Sequence, residues 1–279
     1  MDVKYISRIH ALPLELRMKL GELPYQYGMR ASTKRDKAIE ALNDSGIDWT
    51  EIGTGTNRFI FRYDSYAFKL ALDEEGMADN MQEWAICDML KDVAYANEIS
   101  RRGHLLVASY CPAFTSFTEM NFYQHEIIQI LKRWTDEGFL LGDVGLVSEN
   151  YANWGLQNGK PVCIDYGYIF PSSVDLFGCV CGSHRMVPLN QTYSEYKCMD
   201  CQRRYTDRDL RSRISTEQRL QLFKNVKGIE MRSVEEMHEC NEKYLINEQR
   251  SAGVPTRWET IYSIISREHF SRGLDDFNE

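Results

Sequence analysis

The apolar run Val162-Cys163-Ile164 ends on Asp165, and the aspartate is followed at once by Tyr166 and Gly167. A hydrophobic segment that hands one carboxylate to a glycine turn holds that acid at a defined point instead of leaving it on a solvated face. Upstream, Lys69 stands inside the apolar run YAFKLAL. An ammonium there needs a partner, or must snorkel from a strand edge. Glu83 shares a helical face with Ile86, Cys87 and Leu90, which points it inward toward such a lysine; Glu74 and Glu75 are rival partners. Gly53-Thr54-Gly55 lies between two expected strands, where glycines let backbone amides approach phosphate oxygens closely. Asp143 and Asn153 stand in LLGDVGLVSENYANWGL, with Asn150 as a second amide. Taken singly, each of these is a common turn residue.

A second group of chemistry-bearing residues is compact. FGCVCGSHRMVPLNQTYSEYKCMDCQRRYT holds Cys179-x-Cys181, sixteen intervening residues, then Cys198-x-x-Cys201. Two cysteine knuckles joined by a hairpin are the pattern of a zinc ribbon, with four thiolates closing a tetrahedral Zn2+ site. The first pair is one residue short of C-x-x-C, so Cys181, His184, Cys198 and Cys201 form the alternative ligand set. The expected role is structural. Arg203, Arg204, Arg208, Arg211 and Arg213 follow; they read as a solvated face, or as a dock for an acidic partner or nucleic acid.

The elements that must position these residues change character along the chain. Residues 1–48 read as a helical extension, with a stop at Ser45-Gly46. From 49 the pattern becomes strand, glycine turn, strand, short turn at Asp64-Ser65, strand. A helix is expected over about 78–93, then a buried strand over 104–110, ended by Cys111-Pro112. Thr118 caps one long amphipathic helix whose Ile127, Ile130, Leu131 and Trp134 share a face. Short extended pieces at 139–141 and 161–164 precede the cysteine module at 178–206, and the remainder reads as mostly helical with a break at Gly253-Val254-Pro255. The division is therefore 1–48, 49–112 and 113–279, the last interrupted by 178–206. Two lobes with a cleft between them suit this order better than a doubly wound sheet.

Glycine loop, strand lysine, helix glutamate, loop aspartate, asparagine and strand-end Asp-aromatic-Gly follow one another in a fixed order, and over about 49–170 that order resembles the protein-kinase-like superfamily. IGTGTNRFIF is similar to its glycine-rich loop, YAFKL to its Ala-x-Lys strand, LGDVG…YANWG to its catalytic loop and IDYG to its Asp-Phe-Gly motif. The NWGL-xx-GKPVCIDYG cassette is similar to kinase-like proteins encoded by bacteriophages. The resemblance implies an α+β, bilobal fold with a small antiparallel-sheet lobe, a helical lobe and the ribbon inserted after Asp-Tyr-Gly. It implies ATP and Mg2+ as cofactors. Asp165 and Asn153 would hold the magnesium, Asp143 would orient the acceptor hydroxyl and take its proton, and Lys69, set by Glu83, would hold the phosphates. Gly53 and Gly55 would cover the phosphates, with Ala67 small where adenine stacks. Against the family pattern, Arg58 replaces the third glycine of the loop, where its guanidinium is expected to alter or partly fill the lid. Gly145 stands where a lysine would follow the catalytic aspartate, and no Ala-Pro-Glu follows Asp165.

The function expected is ATP/Mg-dependent phosphotransfer to an alcohol, either a protein serine or threonine, on a host protein if the chain is phage-encoded, or a small molecule. A nucleotide-binding pseudokinase scaffold using the ribbon to hold a protein partner is the first alternative. A zinc-ribbon nucleic-acid binder is the second, and the formal charge of -8 tells against it. No window nears the ~18 apolar residues of a membrane span. The charged first twenty residues lack a secretory apolar core, so a cytoplasmic setting is expected.

Overall fold

The computed structural model describes residues 9–26, 28–100, 103–171, 179–183, 185–190, 192–206 and 209, and the fold is α+β with antiparallel sheets. The expected helical remainder, its Gly253-Val254-Pro255 break, His184, Arg208, Arg211 and Arg213 lie outside those residues.

Two helices, α1 (Leu14–Glu22) and α2 (Ala31–Asp44), open the chain. Strands β1 (Trp49–Thr54), β2 (Arg58–Tyr63), β3 (Tyr66–Ala71), β4 (Ala96–Ile99) and β5 (Leu105–Ser109) form a five-stranded antiparallel sheet in the order β1-β2-β3-β5-β4. Helix α3 (Glu74–Ile86) connects β3 to β4. β3 and β5 are buried at almost every position, and so on both faces. Phe59, Phe61, Phe68, Leu70, Leu105 and Val107 pack on Leu16, Leu20, Ala38 and Leu42 of the two opening helices. Lys34 of α2 pins the helices to the sheet by donating from Nζ to the carbonyls of Pro24 (3.1 Å) and Leu72 (2.7 Å).

The other core is built on α5 (Gln124–Asp136), whose Ile127, Ile130, Leu131 and Trp134 form one buried stripe. Two antiparallel strand pairs accompany it: β6 (Phe139–Leu141) with β9 (Ile169–Pro171), and the hairpin of β7 (Trp154–Gln157) with β8 (Lys160–Cys163). The Trp134 and Trp154 rings stack at 5.9 Å. A three-stranded sheet, β10 (Met186–Pro188), β11 (Glu195–Cys198) and β12 (Arg204–Thr206), makes the cysteine module. Its Tyr193, Tyr196, Cys198 and Tyr205 belong to the same core as α5.

Several boundaries differ from expectation, and the helix expected to run to about 93 ends at Ile86. Helix α3 begins at Glu74 and not near 78, because the Asp73 carboxylate accepts from the Gly76 amide at 2.8 Å and caps it there. The single long helix from Thr118 is two: α4 (Phe117–Phe122) is capped by Ser116, and α5 restarts after Tyr123. The edge strand β4 was not expected, since Ala-Asn-Glu-Ile is short and has two polar residues in its middle. No helix among the described residues is long and apolar enough to cross a membrane.

Candidate active site and metal centre

Lys69 lies in the middle of β3, between Ile60 of β2 and Leu106 of β5, and is 3% exposed. It does not snorkel. Its ammonium donates to Glu83 Oε2 at 2.5 Å and to the Ile164 carbonyl at 2.6 Å. Glu83 is wholly buried on the inward face of α3, so of its rivals Glu75 is left to bind elsewhere, accepting from the Tyr168 hydroxyl at 2.7 Å. Asn80, one turn earlier, donates to the carbonyls of Lys69 (3.0 Å) and Gly103 (2.8 Å), which locks helix to strand. Gln82 reaches the Ile169 carbonyl at 2.5 Å. Helix α3 is thus fixed both to the sheet and to the segment that follows Asp165.

Arg58 completes the network. Its guanidinium is 4% exposed and sits between the acids, donating to Glu83 Oε1 at 2.7 Å and to Asp165 Oδ1 at 2.6 Å, with Asp79 3.9 Å away. Sequence reasoning placed it in a phosphate lid; it points inward because three acids and the Asn80 amide converge there. The one signal available was an arginine opening the otherwise apolar RFIF.

Asp165 remains an acid of unusual strength. Burial works to raise its pKa, yet the charges of Arg58 and Lys69 and hydrogen bonds from Arg58 and the Gly167 amide prevail, holding it at about 2 against 3.8. A folded-state value below the unfolded one stabilises the native state above about pH 4, and that contribution is lost as pH falls toward 2. The stability gap between the chain and its Asp165→Asn variant should therefore be widest near neutrality and shrink between pH 4 and 2. Denaturant titrations across that range check it. The side chain is 38% exposed, so solvent screening keeps the gap modest.

Asp143 follows β6 with φ 63, a left-handed backbone that aspartate tolerates better than most residues. Asn153 donates from Nδ2 to the Asp143 carbonyl at 2.6 Å, and its own carbonyl accepts the amides of Ile164 (2.8 Å) and Asp165 (3.2 Å). The residues between are taken up by a 3-10 segment, Ser148–Asn153, which brings Asn153 back beside Asp143 and Asp165. Asn150, the other candidate, is buried and braces the loop by donating to the Gly145 carbonyl at 3.0 Å. Beneath them Cys163 is a buried thiol whose pKa is pushed well up by burial and by the neighbouring acids Asp165 and Glu83, so it stays protonated. Tyr166 is fully buried and donates to the Ala94 carbonyl at 2.9 Å.

Gly53 and Gly55 lie at the β1–β2 turn, where the pairing register shifts after Glu51. A Cβ added at either position would meet no atom nearer than 3.7 Å. Packing within the chain does not demand glycine there. Ala67 is buried, opposite Arg62 and Ala108.

The four module cysteines come together. The sulfurs of Cys179, Cys181, Cys198 and Cys201 all lie within 4.8 Å of one another, with Cys179 and Cys201 at 3.2 Å and Cys181 and Cys198 at 3.7 Å. Zinc–sulfur bonds of ~2.3 Å give a tetrahedron with edges of about 3.8 Å, so the set fits a metal such as zinc. Cys179 also meets the Tyr205 hydroxyl at 3.0 Å. None of the described cysteines is in a disulfide.

Compared with protein-family models and with curated proteins, the chain matches none.

Proposed function

We propose that the chain is an ATP- and magnesium-dependent phosphotransferase of protein-kinase-like, bilobal fold, acting on a serine or threonine hydroxyl of a protein. One observation carries the reading: the buried Lys69–Glu83 pair meets the end of the strand that delivers Asp165, while Asn153 links that same strand end to Asp143. Five features scattered over about a hundred residues of sequence converge on one point, as phosphoryl transfer requires. The sheet order β1-β2-β3-β5-β4 and the helix between β3 and β4 are further support, as are the two glycines that no internal contact demands.

Each group has a job its surroundings permit. Lys69 uses two of its three donors on Glu83 and Ile164, which leaves the third for a phosphate oxygen. Asp165, ionised at any physiological pH, and the Oδ1 end of Asn153 would hold magnesium, which when bound neutralises the phosphate charge. Asp143 orients the acceptor hydroxyl and takes its proton. Val162 and Cys163 bury the strand behind Asp165 and keep water from that side. The test is transfer from γ-labelled ATP to proteins of a cell lysate by the purified chain. Labelling that needs magnesium and vanishes in Lys69→Met is the expected result; equal labelling by that variant overturns the reading.

The Arg58–Asp165 contact favours one second reading. A guanidinium on the carboxylate competes with magnesium, as in a scaffold that binds nucleotide and transfers nothing. Nucleotide binding that magnesium does not strengthen, with no labelled acceptor, would select it. In that case Arg58→Gly should restore the magnesium dependence.

A further inference from the structure

We propose that the cysteine module is the support of the Asp143 loop, with Tyr196 as its positioning residue, so that metal at the four cysteines sets the order of residues 141–146. Three contacts bracket Asp143. On its N-terminal side, the Tyr196 hydroxyl donates to the Leu141 carbonyl at 2.7 Å. On its C-terminal side, the Leu146 amide donates to the Thr192 carbonyl at 2.8 Å. Between them Gly145 lies flat against the β10–β11 turn: a Cβ there would sit 2.9 Å from the carbonyl oxygens of both Thr192 and Tyr193. This explains the glycine where the resemblance leads one to expect a lysine. The module's backbone occupies the space a side chain would need.

The metal end and the loop end are parts of one short sheet. Tyr196 stands two residues before Cys198 in β11, and both are almost fully buried in the core that also holds Leu141, Val144 and Leu146. Strands of three, four and three residues, in a module well under ~40 residues, bury too little apolar surface to be stable by themselves. The cross-link between Cys179–Cys181 and Cys198–Cys201 must supply what the sheet lacks, since binding energy at such a centre is folding energy. Tyr193 shows the constraint from the other side: it is buried with φ 56, a conformation rare for a bulky residue. Without the cross-link, the acceptors for Leu146 and the donor for Leu141 lose their fixed positions.

The inference rests on the phosphotransferase reading only for its effect on activity; its effect on the loop is independent of that reading. The test is hydrogen exchange of the full chain, loaded with zinc or stripped by a chelator under reducing conditions. We expect the Leu146 amide to exchange at least ~10-fold faster in the stripped chain, while the β2–β3–β5 amides keep their protection. Re-adding zinc should reverse it. Equal exchange at Leu146 in both forms overturns the proposal. Should stripping expose the whole sheet, Tyr196→Phe decides, since it leaves all four cysteines in place. That variant should keep its zinc and still exchange at Leu146 ~3- to 10-fold faster through loss of one buried hydrogen bond. Unchanged exchange in Tyr196→Phe overturns the positioning role. If exchange responds but no transfer from ATP is found in any form, the loop support stands and the phosphotransferase reading falls. If transfer is present, Tyr196→Phe should lower kcat and leave the KM for ATP unchanged.

Discussion

Replacing Glu83 with glutamine is expected to lower stability by about 3–5 kcal/mol, the range for breaking a buried ion pair from one side. Glu83 is wholly buried and accepts from both Lys69 (2.5 Å) and Arg58 (2.7 Å). Two cations face two acids in this cluster, Glu83 and Asp165, with Asp79 at its edge. The substitution leaves two cations, each at most 4% exposed, with Asp165 as the one acid among the described residues still at hydrogen-bond distance of either. Urea titration should show a lower midpoint with an unchanged slope. The double variant Glu83→Gln/Lys69→Met should recover part of the loss, because it removes the stranded ammonium together with its acid. A loss under ~1 kcal/mol in the single variant would mean that the cluster is hydrated and the pairing weak.

Asp143→Asn is expected to leave the fold unchanged and to slow the proposed phosphotransfer by about 10²- to 10⁴-fold, the usual worth of a positioned general base. The exchange is nearly isosteric, and asparagine accepts the φ 63 backbone as readily as aspartate. The Asn153 bond to residue 143 is to its backbone carbonyl, so the loop keeps its tie. The acid is lost while that backbone tie is kept. Steady-state transfer with ATP in excess, beside a melting curve, separates the two effects. A variant that keeps more than a third of the rate would remove Asp143 from the chemistry.

Lys69 and Glu83 were legible because an ammonium in an apolar strand demands an acid, and helical spacing leaves few candidates. Asp165 was legible for a similar reason: one carboxylate closes a hydrophobic run. The cysteine spacing announced the four-cysteine cluster, a set that could hold a metal such as zinc. Arg58 was not legible, because its environment is assembled from Asn80 and Glu83 on α3 and Asp165 beyond β8, and no local pattern brings these together. The approach of Asn153, and not Asn150, to the Asp143 carbonyl depends on a 3-10 segment whose tight turns leave no periodic trace. The break at Tyr123 was hidden as well, since the apolar stripe runs on past it. Docking of the cysteine module on the Asp143 loop had a faint signal in Gly145, but a missing side chain does not say what fills its space.

The most direct test of the account is equilibrium binding of ATP with and without magnesium, measured for the chain and for Lys69→Met and Asp165→Asn. Magnesium should tighten binding to the unaltered chain by at least ~10-fold, since Asp165 would hold the metal and the metal would neutralise phosphate charge. Lys69→Met should weaken binding at any magnesium level, and Asp165→Asn should abolish the magnesium effect while leaving metal-free binding nearly intact. Binding of the same strength in all three proteins would contradict the account, since Lys69 and Asp165 would then hold no part of the nucleotide.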